Sequence, residues 1–269
     1  MLNGHEPIKK DFGEGIFFIY IPPNHFQKED IKKLKIFLSK KMPPSKSSKQ
    51  SGNSAPDIDP SKFISTPKKT FVSFSKKYAT YIDGKGKNFK ECTPVKSYRG
   101  GIVWDRFRKR LTYGNYTVKH PEEWFNSIIS LSNIWLKCIP FCQEYIGYTK
   151  NFPSRVSIGK GLPFTTSTIN HSFQTNYHYD GNNEKGTFAF CFCVRKKGVF
   201  GGELILPELG FGIDWQSGGV VLCPFHLVMH GNNKIIASDD YYYNRVSIIN
   251  YVNKFVMKNA RNKIHRNYI

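Results

Sequence analysis

The chain has 269 residues, 15% of them aromatic, which is enough for one large hydrophobic core with an extension. The 40 lysines and arginines outnumber the 20 acidic residues, and the net charge of +20 favours an acidic partner, nucleic acid first, over a merely lysine-rich surface. The six cysteines include no CxxC pair, no apolar run is long enough to span a membrane, and residues 1–6 lack the apolar segment of a signal peptide. We therefore expect an intracellular protein, nuclear or cytoplasmic, with reduced thiols and no membrane segment.

The first 42 residues predict a strand and a helix that pack on the core as an N-terminal extension. Residues 15–21 form an apolar run that stops at two prolines. Residues 28–41 alternate apolar side chains and lysines at helical spacing. Residues 43–61 are rich in proline, serine and lysine, so we predict a disordered linker or a long surface loop there.

The segment after the linker is again rich in aromatic residues. Residues 70–74 and 78–82 predict two strands joined by a glycine-containing turn. Residues 104–113 interleave basic and aromatic side chains, a mixture that suits phosphate contacts and base stacking. An amphipathic segment with a solvated basic face explains the same pattern equally well.

The clearest predicted helix begins at Pro121, because proline at a first helical position followed by two acids is a typical helix start. Its apolar stripe contains Trp124, Ile128, Leu131 and Trp135. We expect this helix to pack on the outside of a sheet and to end or bend at Pro140.

Short strands bounded by glycine, proline and asparagine follow. They are predicted at residues 164–170, 187–194, 202–207, 218–223 and 246–252. Such spacing indicates a sandwich or barrel, so the expected fold is mainly β with flanking helices (α+β). Thr166, Thr168 and Asn170 alternate along the first of these strands and are candidates for lining a pocket, although a half-exposed strand explains each one equally well.

Two histidines and an aspartate form the chemically most informative pattern. His178 and Asp180 would lie on the same side of an extended strand, because side chains two residues apart face the same way. With a distant histidine they form a set that leaves positions open on a metal ion, as non-haem Fe(II) oxygenases require.

The distant histidine is either His226 or His230. Their spacing of four residues puts both on one face of a continuous strand, so alternation does not distinguish them. Position favours His230, since the interval to Arg245 accommodates a strand, a loop and a returning strand. His226 is then expected in a loop near the pocket mouth, as a candidate substrate contact.

His178-x-Asp180, a distal His230 and the pair Arg245-x-Ser247 together resemble the 2-oxoglutarate/Fe(II)-dependent dioxygenases over roughly residues 120–253. The resemblance implies a double-stranded β-helix (jelly-roll) core at about 155–253, within a domain spanning 62–269 that ends in a basic tail over 254–269. It implies that His178, Asp180 and His230 are the catalytic metal ligands for Fe(II). It also implies that Arg245 and Ser247 bind 2-oxoglutarate, with O2 as the other cosubstrate.

The residues after Asp180, up to Asn183, resemble the TET/JBP group, whose members oxidise the methyl groups of 5-methylcytosine or thymine. This resemblance implies a nucleic-acid base as substrate, DNA or RNA, with Asn183 helping to read it. AlkB-like demethylases are less similar, because Ser247 and Tyr251 replace an asparagine and an arginine of their late strand. Both groups reach a base by extruding it from the duplex.

Three alternatives stay open. The first is an AlkB-like nucleic-acid demethylase, and the second is a prolyl or lysyl hydroxylase on the same scaffold. The third, an inactive jelly-roll binding module, is hard to reconcile with the presence of all three ligands and Arg245.

Overall fold

The computed structural model describes residues 6–38, 90–91, 97–237 and 245–261. The predicted linker, the strands predicted at 70–74 and 78–82, and Cys92 lie outside these ranges. The described helices are α1 (Lys28–Leu38), α2 (Asn115–Lys119), α3 (Pro121–Cys142) and α4 (Lys254–Arg261). The described strands are β1 (Ile8–Asp11), β2 (Phe17–Ile21), β3 (Lys90–Glu91), β4 (Ser97–Asp105), β5 (Arg110–Tyr113), β6 (Thr166–His171), β7 (Ala189–Arg195), β8 (Val199–Gly201), β9 (Leu204–Leu206), β10 (Phe211–Ile213), β11 (Val220–Cys223), β12 (Gly231–Asn232), β13 (Ile235–Ala237) and β14 (Arg245–Tyr251).

The described strands pair antiparallel in three sheets. The large sheet has the order β1-β2-β11-β7-β14-β6-β4-β5, and two smaller sheets have the orders β10-β9-β12 and β3-β13-β8. The N-terminal hairpin therefore extends one edge of the large sheet, and the hairpin of the basic segment extends the other. β14 lies between β6 and β7 near the middle of the sheet.

The strands β2, β7, β11 and β14 of the large sheet are buried on both faces, which explains their nearly continuous apolar sequences. Phe190 and Phe192 of β7 join the core under the helices, whereas Cys191 and Cys193 join a second core with the strands β9 and β10. Alternate side chains of one strand thus serve two different cores. Helices on one face and a second sheet on the other confirm the predicted fold class.

Helices α1 and α3 cover the outer face of the large sheet. The stripe predicted on α3 is buried, with Trp124, Leu131 and Trp135 each at most 2% exposed. Pro140 does not end this helix, which continues to Cys142. The loss of helix stability is small at this position, because a proline near the last turn removes only one backbone hydrogen bond.

The basic C-terminal segment is helical in its first half. Residues 254–261 form α4, whose Val256, Met257 and Ala260 are buried against the core. The side-chain carbonyl of Asn253 accepts from the N–H groups of Phe255, at 2.9 Å, and Val256, at 3.3 Å, and so begins the helix. None of the described helices is both long and apolar enough to cross a membrane.

The described cysteines agree with the expectation of reduced thiols. They are all buried and free: Cys138, Cys142, Cys191, Cys193 and Cys223. Burial raises the pKa of each of these thiols, which keeps them protonated.

Candidate active site

A backbone pairing brings the two predicted histidine ligands together. The N–H of His178 donates to the carbonyl of His230 at 2.9 Å, and the N–H of His230 donates back at 3.0 Å. Asp180 is held separately, since its N–H donates to the carbonyl of Phe225 at 2.9 Å. One ligand atom from each of His178, Asp180 and His230 lies within 4.8 Å of the others.

The segment carrying His178 and Asp180 is not the continuous strand that alternation suggested. His178 makes a single bridge to His230, and the chain then enters a turn at Gly181 and Asn182. The two side chains still reach one place, because the bridge fixes His178 and the bond to Phe225 fixes Asp180.

Hydrogen bonds to the backbone orient both imidazoles. Nδ1 of His178 lies 2.8 Å from the carbonyl oxygen of Asn176, and Nδ1 of His230 lies 3.1 Å from that of Val228. A ring whose Nδ1–H donates to a carbonyl has the lone pair on Nε2. The two Nε2 atoms lie 3.6 and 3.9 Å from Oδ1 of Asp180, so all three candidate ligand atoms face one point.

The electrostatics of this cluster favour a cation. Burial acts to raise the pKa of Asp180, but its hydrogen bond to His178 and the nearby positive groups of His178 and Arg99 act in the opposite direction, and the net effect is a lowered pKa. Burial lowers the pKa of His230 to about 4, which keeps that ring neutral at physiological pH. An ionised carboxylate beside a neutral imidazole is the form in which both groups bind metals.

These residues fit a divalent first-row transition metal with open coordination positions. Two imidazole nitrogens and one carboxylate are the protein ligands of non-haem Fe(II) oxygenases. The cluster opens on a cavity of about 480 Å³, large enough for further small ligands.

Arg245 and Ser247 lie on another wall of the same cavity. Both are buried, at 5% and 4% exposure, and both come from β14. The Arg245 guanidinium lies 5.5 Å from the ring centroid of Trp215, a distance typical of a cation–π contact. The Nε1–H of Trp215 donates to the carbonyl of Gly219 at 3.0 Å, so the indole is itself held in place.

The charge of Arg245 is available to a ligand. Its register partner on β7, Arg195, forms an ion pair with Asp214 at 2.8 Å. Among the residues that the structure describes, no acidic side chain forms an ion pair with Arg245 itself. A buried guanidinium that faces a cavity is suited to bind a carboxylate by two parallel hydrogen bonds.

Gly202 leaves the space that Arg245 occupies. A Cβ atom at this position would lie 2.9 Å from Cδ and 3.0 Å from Nε of Arg245, and the backbone φ of +71° is also unfavourable for other residues. The glycine therefore contributes to the position of the guanidinium.

Arg99 and Tyr251 complete the cavity wall, and the sequence interpretation did not select Arg99. The Arg99 guanidinium donates a hydrogen bond to the hydroxyl of Tyr251, and both residues line the cavity. Residues 245, 247, 249 and 251 of β14 all line it, so alternation along this strand was the signal for Tyr251. Arg99 comes from β4, far from the motif in sequence, and its neighbours Tyr98 and Gly100 give no comparable signal.

Some of the residues predicted to line the pocket or contact substrate line the cavity, and others do not. Asn170 lines the cavity, as does Thr168, whereas the Thr166 hydroxyl donates to the backbone of Ile102 instead. Asn183 is buried and does not line the cavity, whereas its neighbour Asn182 does.

His226 also lies outside the cavity lining, in the loop between β11 and the His178–His230 bridge. Burial lowers its pKa, and the nearby Asp180 carboxylate acts in the opposite direction. The structure thus brings His230, and not His226, into the cluster with His178 and Asp180.

Comparison with known proteins identifies similar oxygenases. No protein-family model matches the chain. The chain is 29% identical over 158 residues to the thymine dioxygenase JBP1 of Trypanosoma brucei brucei. This match covers 57% of the chain and 18% of JBP1, so the chain spans less than a fifth of the length of that curated relative.

Among solved structures, the fold is similar to that of NgTET1 in complex with 5mC DNA. The TM-score is 0.54 at 12% identity, and the match covers 88% of this chain and 72% of that one. OsALKBH1 gives a TM-score of 0.42 at 10% identity over 91% of this chain and all of that one. The comparisons confirm that the chain resembles the 2-oxoglutarate/Fe(II) oxygenases, and within them the TET/JBP group, with their jelly-roll core.

Proposed function

We propose that the protein is an Fe(II)- and 2-oxoglutarate-dependent dioxygenase that oxidises a nucleic-acid base, with the methyl group of thymine or 5-methylcytosine as the favoured target. The observation that carries this proposal is the cluster of His178, Asp180 and His230 on the wall of the cavity that also exposes Arg245. The similarity to a thymine dioxygenase supports the choice of target.

The metal would be held by Nε2 of both histidines and by the carboxylate of Asp180. Bound Fe(II), with 2-oxoglutarate and O2, would supply the oxidising chemistry that hydroxylates a C–H bond while 2-oxoglutarate is decarboxylated to succinate. The chain's own task is geometric, and the backbone contacts of His178, Asp180 and His230 fix the ligand atoms before the metal is present.

Arg245 and Ser247 would bind the distal carboxylate of 2-oxoglutarate. The guanidinium offers two parallel N–H donors, and the Ser247 hydroxyl, two residues along β14, offers a third donor. The contact with Trp215, 5.5 Å from the guanidinium to the ring centroid, restricts the rotation of the Arg245 side chain.

Apolar side chains form part of the surface next to the cluster. Cys191, Leu204, Phe225 and Ile249 line the cavity, and the first three of them are buried. Apolar side chains at this part of the cavity lower the local polarity, which strengthens electrostatic contacts there.

Polar groups at the same cavity offer hydrogen bonds to a base. Arg99 and Asn170 supply donors, and the buried side-chain carbonyl of Asn170 has no hydrogen-bond partner among the residues that the structure describes. An extruded base presents donors and acceptors on its Watson–Crick edge, which such groups can read. The net charge of +20 favours binding to the phosphates of that nucleic acid.

The deciding experiment is mass spectrometry of nucleosides after incubation with Fe(II), 2-oxoglutarate and oligonucleotides, methylated or unmodified, of DNA or RNA. We expect a hydroxymethyl product that requires both Fe(II) and 2-oxoglutarate. Asp180→Asn should abolish it, whereas Glu122→Gln, an exposed acid at the start of α3, should not. Oxidised prolyl or lysyl peptides with unchanged nucleosides would contradict the base as substrate, and product formation by Asp180→Asn would contradict the metal site.

A further inference from the structure

We propose, resting on the proposed function, that a groove between the β4–β5 hairpin and the start of α4 binds the nucleotide adjacent to the target base. The groove has a volume of about 350 Å³. Its lining includes Arg99, Trp104, Arg106, Asn182, Asn253 and Phe255. Arginines and aromatic rings in one groove are the side chains that bind a single nucleic-acid strand through its phosphates and bases.

The groove adjoins the active-site cavity. Arg99 and Asn182 line both spaces, so these two side chains form the boundary between them. Asn182 lies two residues after Asp180, and Arg99, Asp180 and Asn182 all line the active-site cavity. A polymer with one base in the cavity would therefore place its neighbouring nucleotide at this groove.

The charges of the groove match a phosphate. None of its lining residues, all of which the structure describes, is acidic. Three acids lie within two residues of the lining in sequence, and each has other partners. Oδ2 of Asp105 lies 3.8 Å from Nη1 of Arg108, and Oε1 of Glu184 lies 2.8 Å from Nη1 of Arg261. Asp180 belongs to the cluster with His178 and His230. The positive charge of Arg106 is thus not neutralised within the groove.

Arg106 is held where it can contact a backbone phosphate. Its guanidinium carbon lies 5.3 Å from the ring centroid of Phe255, within the range of a cation–π contact. A guanidinium carries five N–H donors, and an arginine can contact an aromatic ring and still donate to a phosphate. The side chain as a whole is exposed, so a ligand can reach it.

The floor of the groove is pre-ordered by contacts between elements that are distant in sequence. The side-chain carbonyl of Asn115 accepts from the backbone N–H of Arg99 at 2.8 Å, joining α2 to β4. The cap at Asn253 fixes the first turn of α4 and with it Phe255. Pre-ordered sites lose less conformational entropy on binding.

The test measures binding of a fluorescently labelled single-stranded oligonucleotide by anisotropy over a range of salt concentrations. Arg106→Glu should raise Kd roughly tenfold, and Arg106→Gln should reduce the slope of log affinity against log salt by about 0.7, as for loss of one single-strand phosphate contact. The matched control is Lys33→Glu on α1, an exposed residue outside both spaces, which should leave Kd unchanged.

Two outcomes would contradict the proposal that the groove binds a nucleotide. One is an Arg106→Glu protein that matches Lys33→Glu in both Kd and salt slope, and the other is a wild-type protein that binds no oligonucleotide. Anaerobic Fe(II) titration of each variant reports whether the metal cluster is intact, and so separates a lost contact from a misfolded protein. The proposed function fails separately, if the wild-type protein forms no oxidised nucleoside.

Discussion

The backbones of His178 and His230 hydrogen-bond to each other in both directions, and their ring centroids lie 4.3 Å apart. This pairing selects the distal histidine, because it is His230 that faces the HxD segment. His226 lies in the preceding loop and makes no such pair.

Separate replacement of the two histidines tests this assignment. His230→Ala should weaken Fe(II) binding by at least tenfold, since a three-ligand site loses one ligand, whereas His226→Ala should retain nearly wild-type affinity. Anaerobic titration with Fe(II) measures both. Loss of Fe(II) binding in His226→Ala with retention in His230→Ala would reverse the assignment.

Arg245→Gln should raise the apparent KM for 2-oxoglutarate by roughly a hundredfold or more, because a carboxylate buried without its cationic partner costs about 3–5 kcal/mol. Fe(II) affinity should change little, since Arg245 is outside the ligand cluster. Steady-state kinetics with varied 2-oxoglutarate provide the measurement. Arg261→Gln, an exposed arginine paired with Glu184, is the control. An unchanged KM in Arg245→Gln would assign the carboxylate to another residue.

Phe107 offers a test of the hairpin tip beside the proposed groove. Its side chain is 100% exposed between two arginines, and in the described structure its removal costs no buried contact. If a base stacks on it, Phe107→Ala should weaken oligonucleotide binding by about 1 kcal/mol or more, roughly fivefold, without lowering the melting temperature. Phe125→Ala on α3, at 63% exposure, is the matched control. Equal affinities of the two variants would remove Phe107 from the interface.

His171 should make stability depend on pH. Burial lowers the pKa of this histidine to about 4, from 6.5 in an unfolded chain, so acid protonates the unfolded state first. Its contribution to stability is complete above about pH 6.5 and declines toward pH 4, by about 2 kcal/mol between pH 7.5 and pH 5. Urea unfolding at these two pH values measures the loss.

His171→Phe keeps a ring beside Tyr98 but does not titrate, so it should show a smaller loss of stability than the wild-type protein over the same interval. The difference between the two proteins isolates His171 from the histidines of the metal cluster, which are the same in both. Equal losses would mean that His171 does not carry the effect.

The sequence predicted the strands of the large sheet well because these strands are buried on both faces. Such strands are continuous apolar runs, and β2, β7, β11 and β14 were all located to within two residues at their start. The clustering of His178, Asp180 and His230 was predictable because their order and spacing along the chain match a known metal-binding pattern.

Other features of the site were not predicted because they depend on contacts between residues that are distant in sequence. Arg99 reaches the cavity only because β4 pairs with β6, and no local pattern reveals that partner. Asn182 replaced Asn183 at the cavity because the chain turns after Asp180, which alternation along a straight strand does not anticipate. The helix α4 was missed because it is only eight residues long, although Val256, Met257 and Ala260 mark its buried face.

The two halves of the cavity differ in how firmly the fold holds them. Arg245 and Ser247 lie on β14, which has β6 and β7 as neighbours on its two edges, whereas His178 and Asp180 are held by a few isolated backbone bonds. Local opening costs less free energy where fewer bonds must break. Amide hydrogen exchange should therefore be slowest at Ser247 and faster at His178 and Asp180, with added Fe(II) slowing only the latter pair. Arg245 and Ser247 would then be well ordered before any ligand binds, whereas His178 and Asp180 would become fully rigid only when Fe(II) binds.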